Sequence, residues 1–333
     1  MNPTPAWIVE VLANVGLLGD GTLVDARRLD GGVSSDVWYA RTTSAEVCIK
    51  RALARLRVDQ LWTAPVSRTA NEFYWYDVVR GIAPASIPSL VRRDPSSGAL
   101  VMSYLTPARH ANWKMQLLSG RIAPLVAAGL GATLARIHAA TAGDVSISTQ
   151  LGDLSLFAQL RIDPYLRSLL PAHADLELQL SKIIDHLAIT RIAMIHGDVS
   201  PKNVLVADAN PVLLDAEVAC FGDPAFDAAF MTTHLLLKAV HDPQRRREFT
   251  DCWSAFIAAF LAGSAWEDSD LLERRIAWIV PALLLARIDG KSPVEYLKEG
   301  ERNQVRSSAR EMLRAMPESV AQIAEALYGT VVP

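Results

Sequence analysis

The chain is poor in cysteine. Its 333 residues include three cysteines, Cys48, Cys220 and Cys252, which lie far apart and form no Cys-x-x-Cys pair. A sparse and odd set of cysteines excludes a disulfide framework, and without a companion cluster of histidines it also excludes a structural zinc site. We therefore expect three reduced thiols inside the protein core.

Excess positive charge and long apolar runs are also missing. The chain has 33 basic and 36 acidic residues, a formal net charge of −3, which gives no basic surplus for nucleic acid or anionic lipid. The uncharged stretches 122–135 and 276–286 are shorter than the ~20 apolar residues of a membrane span. No basic residue precedes Arg27, and Glu10 interrupts the first apolar stretch, which disfavours a secretory signal. We expect a cytoplasmic protein without a membrane or nucleic-acid partner.

Length and composition predict a globular protein of two domains. At about 150 residues per domain, 333 residues suffice for two. Hydrophobic residues make up 50% and charged residues 21%, which excludes a disordered, collagen-like or coiled-coil chain. The pattern changes near Leu105 from mixed strand and helix to mostly helix, without a low-complexity linker. We therefore predict domains over residues 1–105 and 106–333.

Apolar spacing predicts the secondary structure of both parts. In the first part it predicts helices over 6–18 and 68–79. It predicts strands there over 37–40, 47–50 and 100–105. In the second part it predicts helices over 122–140, 176–187, 225–240, 245–261, 270–287, 293–297 and 305–327. Three short strands interrupt these helices, over 192–195, 204–206 and 212–214.

The most informative segment follows the first of those three strands. It reads His196-Gly197-Asp198 and continues to Asn203, so that an Asp and an Asn stand five residues apart on a loop between apolar strands. The third strand then ends at Asp215. A carboxylate at the end of a buried strand needs a partner, because an isolated buried charge is costly. Asp and Asn oxygens suit Mg²⁺, so the pattern indicates a magnesium site.

This pattern resembles the catalytic and metal-binding loops of protein-kinase-like enzymes. Its His-Gly-Asp form is similar to that of the aminoglycoside phosphotransferase family, whose relatives include choline kinases and methylthioribose kinases. Segment 222–227, Gly-Asp-Pro-x-x-Asp, and segment 134–138, Leu-Ala-Arg-Ile-His, also match that family. The resemblance runs from about Leu29 to about Val240. It implies a bilobal α+β fold, with a small antiparallel-sheet N-terminal lobe and a larger, mainly helical C-terminal lobe.

The resemblance also implies roles for the residues of the catalytic segment. Asp198 corresponds to the catalytic aspartate that accepts the proton of the substrate hydroxyl. Asn203 and Asp215 correspond to the two protein ligands of Mg²⁺. His196 is expected to be a structural member of the loop, and Asp227 to support the backbone of that loop through hydrogen bonds.

Nucleotide contacts are expected from the first part of the chain. Lys50, at the end of a predicted strand, resembles the lysine that contacts the α- and β-phosphates of ATP. Glu72, on the helix predicted over 68–79, is the candidate partner that holds Lys50 in an ion pair. Backbone groups of a small-residue loop and of the segment between the lobes complete the expected contacts: Gly32, Ser34, Ser35, Ser103 and Leu105.

Glu217 lies two residues beyond Asp215, and the sequence leaves its role open. The triplet Asp215-Ala216-Glu217 is similar to the Asp-x-Glu of methylthioribose kinases. Glu217 is expected close to the reacting groups, where three partners are possible: a second metal ion, a metal-bound water or the substrate.

The resemblance implies an enzyme that transfers the γ-phosphoryl group of ATP to a hydroxyl group, with Mg²⁺. Only residues 216–222 separate Asp215 from the Asp223-Pro224 turn, whereas protein kinases have a long peptide-docking segment there. A small-molecule acceptor is therefore expected. The helical regions over about 106–190 and 241–333 are expected to enclose it.

Three functions remain open at this point. The first is a metabolite kinase that acts on a sugar, a thiosugar or an amino alcohol. The second is a phosphotransferase for an antibiotic such as an aminoglycoside or a macrolide; aminoglycosides are polycations, and a charge of only about −4 after Leu105 indicates no carboxylate-rich site for them. The third is a nucleotide-binding pseudokinase, which the joint presence of Lys50, Asp198, Asn203 and Asp215 disfavours. These observations favour the metabolite kinase.

Overall fold

The computed structural model describes residues 4–18, 21–29, 34–55, 65–89 and 91–329. Its N-terminal part contains five strands and two helices: β1 Leu23–Arg28, β2 Ser35–Thr42, β3 Glu46–Ala52, β4 Val91–Arg93, β5 Leu100–Ser103, α1 Ala6–Asn14 and α2 Arg68–Ile82. The strands form one sheet in the order β1-β2-β3-β5-β4, and every neighbouring pair is antiparallel.

The two faces of this sheet bury different helices. Val47 and Ile49 of β3 pack with α1 residues in a small core. Met102 of the neighbouring strand β5 packs with α2 in the large core, and half-buried Cys48 packs against that core. Because side chains alternate between the faces of a strand, Lys50 shares the face of Cys48. The alternation of β3 thus directs Lys50 away from α1 and towards α2.

The C-terminal part is mainly helical. Its helices are α3 Trp113–Leu118, α4 Pro124–Thr141, α5 Val145–Leu151, α6 Ser155–Phe157, α7 Glu177–Ile189, α8 Pro224–His241, α9 Arg246–Ala262, α10 Ser269–Asp289, α11 Glu299–Ala315 and α12 Val320–Tyr328. A π-helical segment, Ala158–Leu166, follows α6. Helix α8 is buried at every residue from Pro224 to Val240, which is the pattern of a helix at the centre of a core.

Short strands carry the loops of the predicted catalytic segment. They are β6 Ala111–Asn112, β7 Ala193–Ile195, β8 Val204–Ala207, β9 Asn210–Leu213 and β10 Cys220–Gly222. Strands β6, β8 and β9 form one small sheet, and β7 pairs with β10 in another. Two connecting segments, one from β7 to β8 and one from β9 to β10, therefore begin and end at paired strands.

This architecture confirms the predicted α+β class, with an antiparallel sheet in the N-terminal region and helices in the C-terminal region. Two details of the prediction were wrong. Residues 293–297 are not helical, and the helix expected over 305–327 is two helices, α11 and α12. Helix α11 ends at Ala315 because Met316 adopts a left-handed conformation, φ 55°, and Pro317 follows, which lacks the N–H group that a continuing helix needs.

Two further features bear on the sequence-based expectations. Cys48, Cys220 and Cys252 are free thiols. Among the described residues, no single helix is long and apolar enough to cross a membrane. The helices α4 and α5, which meet at a bend of 104°, reach the required length and apolar composition only when they are counted together.

Candidate active site

Asp227 of α8 holds the start of the loop between β7 and β8. Its carboxylate accepts one hydrogen bond from the backbone N–H of His196, at 2.7 Å, and another from that of Gly197, at 2.8 Å. Nε2 of His138 lies 3.2 Å from the same carboxylate. Asp227 is fully buried, so these bonds satisfy a carboxylate that would otherwise be costly to bury. The loop backbone is thereby fixed just before Asp198.

His196 connects this loop to the end of β9. Its Nε2 lies 3.1 Å from the carbonyl oxygen of Leu214, and its Nδ1 accepts a hydrogen bond from the backbone N–H of Asp198 at 3.2 Å. The ring also packs edge-on against Trp75, with 5.0 Å between centroids. Burial lowers the pKa of His196 below its ordinary value, which favours the neutral ring that this pair of bonds requires. The ring therefore positions the residues on either side of it.

Gly197 occupies a position that a side chain would disturb. Its φ is +75°, and a Cβ atom there would lie 2.8 Å from the carbonyl oxygen of Val218. Gly197→Ala is expected to lower the free energy of unfolding by about 3 kcal/mol, through left-handed strain and steric overlap. Gly143→Ala is the matched control, because Gly143 has φ +68° with nothing within 4 Å of its Cβ position, and it should cost about 1 kcal/mol. Urea denaturation measures both, and equal costs would contradict the overlap with Val218.

Asp198 lies beyond Gly197 and is almost fully buried. Its Oδ2 accepts a hydrogen bond from Nδ2 of Asn203 at 2.8 Å and lies 3.1 Å from Nη2 of Arg161. Nζ of Lys202 lies 3.3 Å from the same oxygen. Burial alone would raise the pKa of Asp198, but Arg161 and Lys202 outweigh burial and lower the pKa below its ordinary value. The carboxylate is therefore ionised at neutral pH.

Lys50 lies between two carboxylates on the opposite wall of the site. Its Nζ is 2.7 Å from Oε2 of Glu72 and also forms a close ion pair with Asp215. Burial would lower the pKa of Lys50, but Asp215 and Glu72 outweigh burial and raise it well above its ordinary value. Asp215 itself has a left-handed backbone, φ 67°, and its N–H donates to the hydroxyl of Tyr76 at 3.2 Å. The end of β9 is thus joined to β3 and α2.

Glu217 is bound by an arginine that sequence reasoning missed. Nε of Arg68 lies 2.9 Å from Oε2 of Glu217, and both side chains are buried. Another nitrogen of Arg68 donates to the carbonyl oxygens of Ser34 and, at 2.9 Å, of Leu53. Arg68 therefore connects Glu217 to the backbone on both sides of the β2–β3 hairpin.

One cavity of about 450 Å³ lies between the N-terminal and C-terminal elements. Six predicted nucleotide-binding residues and both predicted metal ligands line it: Lys50, Glu72, Ser34, Ser35, Ser103, Leu105, Asn203 and Asp215. Asp198 joins this wall through its hydrogen bond with Asn203. Gly32, which was also predicted to bind nucleotide, lies outside the described residues. The cavity has the size typical of a small-molecule site. Two buried oxygen atoms of its lining, Ser35 Oγ and Glu72 Oε1, have no hydrogen-bond partner within the part of the chain that the structure describes.

Two arginines of the site, Arg68 and Arg161, differ in how far the sequence could have predicted them. Arg68 precedes Glu72 by four residues, so both lie on one face of α2, and this spacing could have indicated that they share a site. Arg161 belongs to the π-helical segment, 37 positions before Asp198, and donates from Nε to the carbonyl oxygen of Gly197 at 2.6 Å. No local pattern predicts that contact, because it depends on tertiary packing alone.

Sequence comparison relates the chain to known kinases. Residues 25–251 match the family described as "Phosphotransferase enzyme family". The methylthioribose kinase of Yersinia pseudotuberculosis serotype IB (strain PB1/+) is 25% identical over 309 residues, which cover 80% of this chain and 75% of that protein. The methylthioribose kinase of Geobacillus sp. (strain WCH70) is 21% identical over 293 residues, which cover 77% of this chain and 72% of that protein.

Structural comparison points the same way. A crystal structure of a choline/ethanolamine kinase family protein from Mesorhizobium loti superposes with a TM-score of 0.51 at 16% identity, over 97% of this chain and 98% of that one. An amicoumacin kinase in complex with AMP-PNP, Ca²⁺ and Ami superposes with a TM-score of 0.57 at 13% identity, over 95% of this chain and 96% of that one. At these identities the likeness concerns the fold, and it confirms the predicted kinase-like architecture.

Proposed function

The chain belongs to the phosphotransferase enzyme family, and we propose that it transfers the γ-phosphoryl group of ATP to a hydroxyl group of a small metabolite. One observation carries the proposal: Lys50, Glu72, Asn203 and Asp215 line a single cavity, and Asp198 is hydrogen-bonded to its wall. The methylthioribose kinases similar to this chain support a metabolite as the acceptor.

The chemistry of the donor set fits Mg²⁺. Mg²⁺ is commonly held in proteins by one or two carboxylates together with substrate phosphates, and it prefers oxygen ligands. Asp215 offers such a carboxylate. Asn203 donates from its amide nitrogen to Asp198, and this bond leaves the amide oxygen as the atom available to a metal. We infer that Asn203 and Asp215 hold the ion, which when bound neutralises charge on the transferring phosphoryl group.

The remaining residues have distinct proposed roles. Lys50, oriented by Glu72, binds phosphate oxygens of the nucleotide, and the backbone near Ser34 and Ser35 covers them. Asp198 orients the acceptor hydroxyl and accepts its proton. Its ionised state suits this role, and no raised pKa is required, because the proton moves as the phosphoryl group is transferred.

Three residues act by positioning these groups. Asp227 and His196 fix the backbone around Asp198, and Glu217 pairs with Arg68. This pairing favours a positioning role for Glu217 over a metal contact. We further propose residues 1–105 and 106–333 as the two lobes, because the cavity takes residues from both ranges. The cytoplasm is the proposed location, since it supplies ATP.

ADP release with Mg·ATP across a panel of acceptors tests the proposal. The panel contains methylthioribose, simple sugars, homoserine, choline, an aminoglycoside and a macrolide, and mass spectrometry detects the phosphorylated product. We expect at least one metabolite to gain one phosphoryl group for each ADP released. ADP release without a phosphorylated acceptor would contradict the proposal, and so would phosphorylation of the antibiotics alone. Tight Mg·ATP binding without any transfer would instead favour a pseudokinase.

A further inference from the structure

Helix α8 carries an unusual cation at the centre of the C-terminal core. Phe230, His234 and Lys238 follow one another at intervals of four residues, so they share one face of the helix. Lys238 is only 1% exposed. Among the described residues its ammonium group has neither a hydrogen bond nor an ion pair. Its Nζ lies 5.1 Å from the centre of the Tyr296 ring. A buried ammonium group without an anion is costly, so its presence calls for a functional explanation.

Two other polar atoms near Lys238 are also buried without a hydrogen-bond partner. They are the hydroxyl of Tyr296 and Nε of Arg287, for which no described residue provides a partner. Another nitrogen of Arg287, Nη1, does form hydrogen bonds: it donates to Ser292 and, at 3.2 Å, to the hydroxyl of Tyr165. Unsatisfied buried donors are rare in folded proteins. Two of them beside the unpaired ammonium group indicate a place prepared for an acceptor of hydrogen bonds.

A continuous set of contacts joins this region to Asp198. Arg161 forms the ion pair with Asp198, and its guanidinium carbon lies 5.9 Å from the centre of the Tyr165 ring. The guanidinium carbon of Arg287 lies 5.7 Å from the centre of the same ring. Tyr165 in turn packs against Phe230, with 5.6 Å between ring centres. The region around Lys238 therefore lies one aromatic side chain beyond the arginine that contacts Asp198.

Positive charge dominates this region. Burial, together with the positive charges of Lys114 and Arg287, lowers the pKa of Lys238 to about 7, and Glu295 opposes this shift. Burial also holds the pKa of His234 well below its ordinary value, and the cations Arg287 and Lys238 lower it further. Glu295 is already paired with Lys114. Cations therefore outweigh the one opposing carboxylate around Lys238.

We propose that the acceptor is a hydroxyl compound that carries an anionic group, a carboxylate or a phosphate, and that Lys238, Arg287 and Tyr296 bind this group. The inference rests on the proposed kinase function and names its substrate class. The anion supplies the partner that the ammonium lacks and accepts hydrogen bonds from the unsatisfied donors. A cationic acceptor such as choline or an aminoglycoside meets like charge here and is disfavoured.

Matched pairs of acceptors test the proposal. D-Glycerate is compared with glycerol, and ribose 5-phosphate with ribose, while choline serves as the cation. We expect kcat/KM to be about tenfold or more higher for a charged member than for its neutral counterpart. The carboxylate and phosphate pairs distinguish the two possible anions. Equal or better phosphorylation of a neutral or cationic compound would overturn the inference and leave the kinase function standing.

Lys238→Met separates anion binding from structural support. We expect the KM for the anionic acceptor to rise about tenfold, with the KM for Mg·ATP within about twofold. The melting temperature should not fall, because the change removes an unpaired buried charge at similar volume. Lys182→Met, at an exposed lysine of α7, is the matched control and should change none of these values. A lower melting temperature with an unchanged acceptor KM would assign Lys238 a purely structural role.

Calorimetry keeps the two proposals distinguishable. D-Glycerate and glycerol 3-phosphate are titrated into the protein with Mg·AMP-PNP present, so that no turnover is needed. Binding of either anion that weakens in Tyr296→Phe and in Lys238→Met would support the anion site even if no acceptor is phosphorylated. Tyr296→Phe removes only the hydroxyl and provides the measurement if Lys238→Met does not fold. Absence of binding by both anions would overturn the inference.

Discussion

Asp198→Asn is expected to lower kcat about 1,000-fold while the Kd of Mg·ATP stays within about twofold. The amide of Asn cannot accept the proton of the acceptor hydroxyl, which is the role proposed for the carboxylate. Nucleotide binding is spared because Lys50 and Asp215 line the cavity directly, whereas Asp198 joins the wall through Asn203. Single-turnover transfer measures the chemical step, and calorimetry measures the Kd.

Asp208→Asn is the control for that experiment. Asp208 is exposed in the turn between β8 and β9, so its substitution removes the same charge nearby without touching the site, and kcat should stay within about twofold. Unchanged turnover in Asp198→Asn would remove Asp198 from its proposed role. A matching loss of Mg·ATP binding would instead show that the loop depends on the ion pair with Arg161 for its shape.

The central residues of the site could be predicted because they are close together in the sequence. Asp198 and Asn203 lie on one short loop, and Asp215 follows at the end of the next strand pair, so a local pattern contains most of the geometry. The support that Asp227 gives to the loop backbone was also predictable, because segment 222–227, which contains it, follows soon after Asp215. The structure gives Asp227 the predicted hydrogen bonds to the loop backbone.

Other residues could not be predicted from any local pattern. Arg161 reaches Asp198 from the π-helical segment, and Lys238 lies on a helix that is buried on every side. Their roles depend on the residues that contact them in the folded protein, and spacing along the chain does not predict those contacts. The apolar run over 47–50 did predict a strand, but the partner of Lys50 could be chosen only by resemblance until the 2.7 Å contact with Glu72 was seen.

Asp215→Asn is expected to weaken Mg·ATP binding about tenfold or more and to lower kcat about 100-fold. A neutral amide is a poorer ligand than a carboxylate for a hard divalent cation, and Asn203 alone cannot replace the lost charge. The substitution has a second consequence, because Lys50 keeps only Glu72 of its two carboxylate partners. The measured loss of Mg·ATP affinity therefore combines the loss of a metal ligand with the loss of one carboxylate partner of Lys50.

Titration of Mg²⁺ at fixed ATP separates these two contributions. If Asp215 is a metal ligand, the affinity of the wild type for ATP rises with Mg²⁺, the affinity of Asp215→Asn rises much less, and the two proteins bind ATP alike in EDTA. If Asp215 acts only by holding Lys50, the affinity difference persists in EDTA. Asp175→Asn is the control, since Asp175 is exposed and paired with Arg310 on the surface. An unchanged response to Mg²⁺ in Asp215→Asn would contradict the metal assignment, and a difference that persists at the same size in EDTA would assign the effect to Lys50.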